Sequence, residues 1–165
     1  MATSLKNLSS TNLKVGKAAK KFSIGLVVAD WNPEITHSMR DAAIDFLKAQ
    51  GLKATQITCV PVPGTFELPL AAQWMAEQKK IDAVIAIGCV IQGETRHFDF
   101  ICSACAQGIT EVGLKTNKPI IFGVLTTDNL KQAKERAGGK HGNKGIEAAD
   151  TALKMLLLKD SSALK

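Results

Sequence analysis

Short apolar runs rich in β-branched residues alternate along this chain with longer segments whose apolar positions recur at helical spacing. Residues 22–30 (FSIGLVVAD) read as a buried strand. Asn32 is placed to cap the helix that follows, with Pro33 and Glu34 in its first turn. Ile35, Met39, Ala42, Phe46 and Ala49 keep one apolar face on that helix, and Gly51 ends it. A second strand is expected over residues 53–61, a turn at Pro61-Val62-Pro63-Gly64, and a helix over about 66–79. The third strand is 82–90 (DAVIAIGCV), followed by a polar stretch, 92–96, and a long helix over about 97–115. Residues 117–119 break that helix, and 120–126 form a fourth strand. Asp128 or Asn129 caps a short helix to Ala137, 138–142 (GGKHG) is a loop, and the last helix covers about 143–158.

Four apolar strands joined by helical crossovers imply an α/β protein whose parallel sheet is covered on both faces. Right-handed crossovers make this a three-layer α/β/α sandwich with a four-stranded parallel sheet, flavodoxin-like in type. Ligands of such sheets bind beyond the carboxyl ends of the strands. Trp31, the 61–67 turn, 91–97 and 126–128 therefore share one rim.

Composition narrows the class without naming an activity. With 165 residues, 45% apolar and 22% charged, the chain suits one globular domain. It holds no apolar run near the roughly 20 residues that span a bilayer, so no membrane partner is expected. The absence of an apolar signal region near the start and four cysteines, three of them in apolar stretches, point to a cytoplasmic protein with reduced thiols. The net charge of +6 is unevenly placed. Residues 1–21 hold five lysines and no acid, and removing those from the 21 basic residues leaves 16 against 15 acids. The body, 22–165, is thus a near-neutral single domain behind a flexible basic leader, and nothing in it marks a nucleic-acid partner.

The rim carries the unusual chemistry. Residues 88–95 (GCVIQGET) lie between strand and helix, where a phosphate loop would lie, but Glu94 stands where a nucleotide-binding loop needs lysine. The helix start can still offer N–H groups to a single phosphate, with Gly93 allowing close approach. His97 opens the next helix, whose positive dipole end favours a neutral imidazole able to accept a proton; a histidine bonded to its own loop would look the same. Trp31 either stacks on a flat heterocycle or packs under a loop. Glu67 and Arg136 suit the dipoles of their helix ends, and Arg136 could equally grip a phosphate, with Lys140 and Lys144 adding charge beside it. Cys102 and Cys105 have CxxC spacing in mid-helix and read as core residues, Trp74 as core or interface, and His37 and His141 as solvated.

Five segments taken together resemble the lumazine synthase family: Trp31-Asn32, 63–69 (PGTFELP), 88–100 (GCVIQGETRHFDF), 122–129 (FGVLTTDN) and 132–145 (QAKERAGGKHGNKG). The similarity runs from about 22 to 158. It implies condensation of 5-amino-6-(D-ribitylamino)uracil with 3,4-dihydroxy-2-butanone 4-phosphate to 6,7-dimethyl-8-ribityllumazine, with no metal or organic cofactor. By position, Trp31 would stack on the pyrimidine, and Thr65, Phe66, Glu67, Cys89, Val90 and Ile91 would hold its ring and ribityl chain. Glu94 and Thr95 would present backbone donors to the phosphate, Arg136 would pair with it, and His97 would move protons. Phe122 would close the site of a neighbouring subunit. The resemblance also implies a homo-oligomer, a pentamer that assembles into an icosahedral shell, with riboflavin synthase as a possible partner. The different expectation, a non-catalytic pteridine- or flavin-binding cage protein, keeps the same shell without turnover. Cys89 departs from the small or hydroxyl residues common at its position.

Overall fold

The computed structural model describes residues 16–164. β1 (Ile24–Ala29), β2 (Ile57–Val62), β3 (Ala83–Ile91) and β4 (Ile120–Thr127) form one parallel sheet in the order β2-β1-β3-β4. The two inner strands are apolar on both sides because both are covered. Ile24, Leu26 and Val28 of β1 and Ala83, Ile85, Ile87 and Cys89 of β3 join the core under α1 (Pro33–Ala49) and α5 (Lys144–Asp160). The alternate residues Val27, Ala29, Val84 and Ala86 join the core under α2 (Leu68–Glu77) and α3 (His97–Thr116). Period-two alternation thus feeds two helical layers at once, which gives the expected three-layer, flavodoxin-like arrangement.

Several boundaries differ from the sequence reading, each for a local reason. Residues 54–56 form a 3₁₀ turn, so β2 starts at Ile57; Gln56 turns its side-chain amide onto the carbonyls of Lys20 and Phe22, both at 2.8 Å. A second 3₁₀ turn, Thr65–Glu67, precedes α2, since Pro69 is tolerated only in a helix's first turn. Asn129, rather than Asp128, caps α4 (Leu130–Arg136), accepting from Gln132 N at 3.0 Å. The 138–142 loop is a tight hairpin, in which β5 (Ala137–Gly139) pairs antiparallel with β6 (Gly142–Asn143). Gly138 and Gly142 supply its positive φ values of 119° and 73°. Trp74 is 61% exposed and is not a core residue; Cys105 is fully buried, whereas Cys102 is only half-buried. His141 is not solvated either: its side chain is only 20% exposed, with Nε2 3.8 Å from Glu135 Oε2, and its backbone N–H donates to the Glu135 carbonyl. His37 stays exposed, bonded to Asp30 at 3.2 Å.

Of the basic leader, residues 1–15 lie outside the described residues. Its last part, Gly16–Lys21, forms a 3₁₀ helix whose Ala19 is fully buried in the α1/α5 core, and Lys21 pairs with Asp160.

α5 docks on α1 through Gly145, whose missing side chain lets the two backbones meet. A Cβ there would collide with the Met39 carbonyl. Gly145→Ala is therefore expected to lower stability by about 1–3 kcal/mol, since backbone cannot yield as a side-chain tip can. Denaturant unfolding followed by circular dichroism checks this.

Candidate functional site

The β1–β3 ladder runs from Ile24↔Ala83 to Val28↔Ile87 and stops, while β3 continues beside β4 as far as Ile91↔Thr127. α1 leaves β1 toward one face and α3 leaves β3 toward the other. A crevice opens between the strand ends, at the point where strand order reverses.

Its near wall is Trp31-Asn32. Asp30 N still donates to the Val62 carbonyl at 2.8 Å, after which the chain leaves the sheet and Trp31 stands 71% exposed. Asn32 adopts a left-handed backbone (φ 61°, ψ 55°), which asparagine tolerates better than most residues. It occupies the N-cap of α1 as the sequence suggested, yet its side chain makes no cap bond. Its Nδ2 instead donates to the Cys89 carbonyl of β3 at 3.0 Å.

The floor and far wall come from the 3₁₀ turn and β3. Thr65 is buried, and Phe66 and Glu67 are exposed at the rim. The turn sits close against β3 because residue 88 is glycine. A Cβ there would lie 2.9 Å from both Thr65 Oγ1 and Leu68 Cδ1. Cys89, Val90 and Ile91 line the crevice as β3 ends, and Gly93, Thr95 and His97 line its mouth. The cleft measures about 420 Å³, within the range of small-molecule sites.

His97 is the first residue of α3; its N–H reaches Thr95 Oγ1 at 3.4 Å, and its side chain is exposed. Glu94 is exposed but does not line the cleft. The space around Gly93 is open, with nothing within 4 Å of a built Cβ. Asn32, Gly64, Phe98 and Ile101 line the cleft as well, and the sequence reading assigned them nothing. Ile101 sits one turn on from His97 on α3, so helical spacing was the signal for it; Phe98, next to His97, had no such signal.

Phe122 and Arg136 lie elsewhere on the chain. They share a second, open concavity of about 910 Å³ beside the edge strand β4, together with Thr126, Lys144 and Glu147. Phe122 is 42% exposed. Arg136 ends α4 and donates through Nη1 to the Gln132 carbonyl at 2.9 Å, the helix-end contact its position suggests. Lys144 and Glu147 pair at 2.6 Å, both largely covered. One copy of the chain therefore brings Trp31, Thr65–Glu67, Cys89–Ile91, Thr95 and His97 together, and holds Phe122 and Arg136 apart from them.

Burial sets the thiol chemistry. The Cys89 thiol is pushed up to about 11 and that of Cys105 to about 12, each chiefly by desolvation. Both stay protonated near neutrality. The unfolded chain loses these protons from about pH 9 upward while the folded chain keeps them, so this contribution to stability declines as pH rises from 9 through 11. Iodoacetamide at pH 8 is expected to modify exposed Cys59 and to spare Cys89 and Cys105. Protection should fade only above pH 9, as peptide mass mapping of each cysteine can check.

The family model for 6,7-dimethyl-8-ribityllumazine synthase matches residues 21–160, which include both concavities. A protein of that name from Cytophaga hutchinsonii is 59% identical over 156 residues, covering 94% of this chain and 98% of the relative. Its namesake in Porphyromonas gingivalis is 53% identical over 155 residues, with 94% and 96% covered. The Flavobacterium johnsoniae protein of the same name is 45% identical over 164 residues, with 99% and 86% covered. Matched across nearly its whole length, the chain belongs to the 6,7-dimethyl-8-ribityllumazine synthase family.

Proposed function

We propose that this chain condenses 5-amino-6-(D-ribitylamino)uracil with 3,4-dihydroxy-2-butanone 4-phosphate to 6,7-dimethyl-8-ribityllumazine, the step before riboflavin. The observation that carries the reading is the cleft at the β1/β3 divergence, which joins a flat exposed indole, a 3₁₀ turn and a histidine within a chain of this family. A binding protein without turnover is not favoured, since relatives up to 59% identical carry the synthase name.

The reaction joins an amine to a ketone as a Schiff base with loss of water, eliminates phosphate, and closes a ring with loss of a second water. Most of what it asks of a protein is orientation and proton movement. Trp31 offers a face on which the pyrimidine stacks, a contact worth about 0.5–1.5 kcal/mol beyond area burial. Thr65, Phe66 and Glu67, with Cys89, Val90 and Ile91, surround the ring and ribityl chain. Thr95 and the α3 start, with Glu94 beside it, present backbone donors to the phosphate, and His97 at that start shuttles protons for Schiff-base formation and enolisation. Arg136 pairs with the phosphate through a planar fork that lysine cannot copy.

Because Phe122 and Arg136 lie in a separate concavity, the complete site takes them from a neighbouring copy. Exposed apolar side chains support such packing. Trp31, Phe66, Trp74, Phe100 and Leu114 are each more than half exposed, more apolar surface than a chain working alone keeps. The assembly we propose is a pentamer that builds an icosahedral shell, which the hairpin at 137–143, short and without an insertion, leaves room for. Riboflavin synthase, which takes up the product, is the macromolecular partner, and the cytoplasm the location; no helix among the described residues is long and apolar enough to cross a membrane.

Mixing both substrates with the protein should give the fluorescence of the lumazine product. His97→Ala should lose roughly 10²–10⁴-fold in turnover if proton transfer limits the rate, with a smaller loss if orientation dominates; wild-type turnover would remove His97 from the mechanism. Arg136→Ala should also be inactive. Co-assembling His97→Ala with Arg136→Ala subunits should restore part of the activity, because some neighbouring pairs then contribute one intact half each. Sedimentation of the same samples reports the assembly. A pentamer-sized species stable across concentration would exclude the shell, and failure of mixing to restore activity would exclude the shared site.

A further inference from the structure

Three helices among the described residues have asparagine at the N-cap: Asn32 at α1, Asn129 at α4 and Asn143 at α5. Two of them do what the position favours. Asn129 accepts from Gln132 N at 3.0 Å, and Asn143 accepts from Gly145 N at 2.8 Å. Asn32 does not. The first turn of α1 begins without it: Pro33 has no N–H to satisfy, and the Asn32 carbonyl accepts from Ile35 N, Thr36 N and Thr36 Oγ1 at 3.0, 3.1 and 3.3 Å. The side chain is sent across the crevice to the Cys89 carbonyl at 3.0 Å, a partner 57 residues away.

The place of that bond gives it a meaning. β1 and β3 stop pairing after Val28↔Ile87, so the β1-facing edge of β3 has no ladder partner at Cys89. Cys89 itself is 1% exposed, where an unpaired carbonyl is costly. Asn32 closes the gap with its side-chain amide, and it does so from a left-handed backbone (φ 61°) directly after Trp31. The exposed indole and the rim residues of β3 line the same cleft. The Asn32–Cys89 bond is therefore a strut between the two walls.

We infer that Asn32 is a positioning residue for the pyrimidine substrate, acting through its bond to the Cys89 carbonyl to fix the spacing between the Trp31 ring and the rim of β3. The inference rests on reading this cleft as the pyrimidine site. Asn32 touches neither reacting atoms nor the phosphate in this role; it sets the width of the slot into which the ring slides.

Two substitutions separate the bond from the backbone. Asn32→Asp keeps the size and the tolerance for a left-handed conformation but offers a carboxylate oxygen where a donor is needed. Asn32→Gly keeps the backbone conformation and removes the side chain. In assembled protein, both should raise the KM for the pyrimidine by about tenfold, the loss of one half-buried hydrogen bond, and leave the KM for the butanone phosphate within about twofold. On a Trp31→Ala background, the same substitutions should change the pyrimidine KM far less, because the surface they position is gone. A lower melting temperature with an unchanged pyrimidine KM in both variants would overturn the inference and leave Asn32 as a structural tie. Equal rises in both KM values would overturn it too, as would an effect that multiplies undiminished with that of Trp31→Ala. If Trp31→Ala alone left the pyrimidine KM at its wild-type value, the reading of the cleft would fail first, and the inference with it.

Discussion

Everything in the site follows from where β1 and β3 part. A parallel ladder buried on both faces has no reason to stop until its crossovers leave it, and here they leave in opposite directions, α1 over one face and α3 over the other. β3 alone runs on, held by β4 to Ile91↔Thr127. Its last residues, Cys89 to Ile91, then form a wall whose inner edge has no β1 ladder partner, facing the turn that carries Trp31. The crevice is a consequence of strand order, and the residues that matter are those the topology delivers to its lip.

That topology was legible from the chain because each strand is a continuous apolar run and each helix keeps one apolar face. The alternation of Ile85, Ile87 and Cys89 with Val84 and Ala86 supplies both core layers at once. The lip residues were legible too, since Trp31, Thr65–Glu67 and His97 all fall where a strand hands over to a helix. What stayed hidden depends on partners far away in sequence. Nothing local to Asn32 tells that its amide serves Cys89, because an N-cap asparagine satisfies every local rule without that bond. The hairpin at 137–143 read as a loop because two-residue strands are set by two positive-φ glycines rather than by apolar periodicity. The burial of His141 follows from its folding back on Glu135, which a glycine-rich stretch conceals.

The separation of Phe122 and Arg136 from the cleft is the other feature that one-dimensional reading could not resolve. Phe122 is the third residue of β4 and Arg136 ends α4, so neither stands at the carboxyl end of a strand and the sheet rule does not place them on the rim. β4 is an edge strand, and Phe122 on it, Arg136 on α4 and Lys144 on α5 line the second concavity rather than the β1/β3 crevice. An edge strand bearing a half-exposed phenylalanine is a surface that proteins usually cover. Covering it with the crevice of another copy would use both surfaces, leaving neither the indole nor the edge strand in water.

The second concavity also has a charge pattern that favours a particular kind of occupant. Lys144 and Glu147 are both largely covered and held at 2.6 Å, so the lysine's charge is spent on its neighbour three residues along the helix. Among the described residues, Arg136 bonds a neutral carbonyl, that of Gln132, and a guanidinium has five N–H donors, of which this contact takes one. The net positive charge offered at this lip therefore sits on the guanidinium rather than the ammonium. A planar cation with donors to spare matches an anion with several oxygens, such as a phosphate monoester, better than it matches a single carboxylate. In the shared site proposed above, where the α3 start belongs to a neighbouring copy, such an anion would be met from both sides, by a helix backbone on one and by the end of α4 on the other.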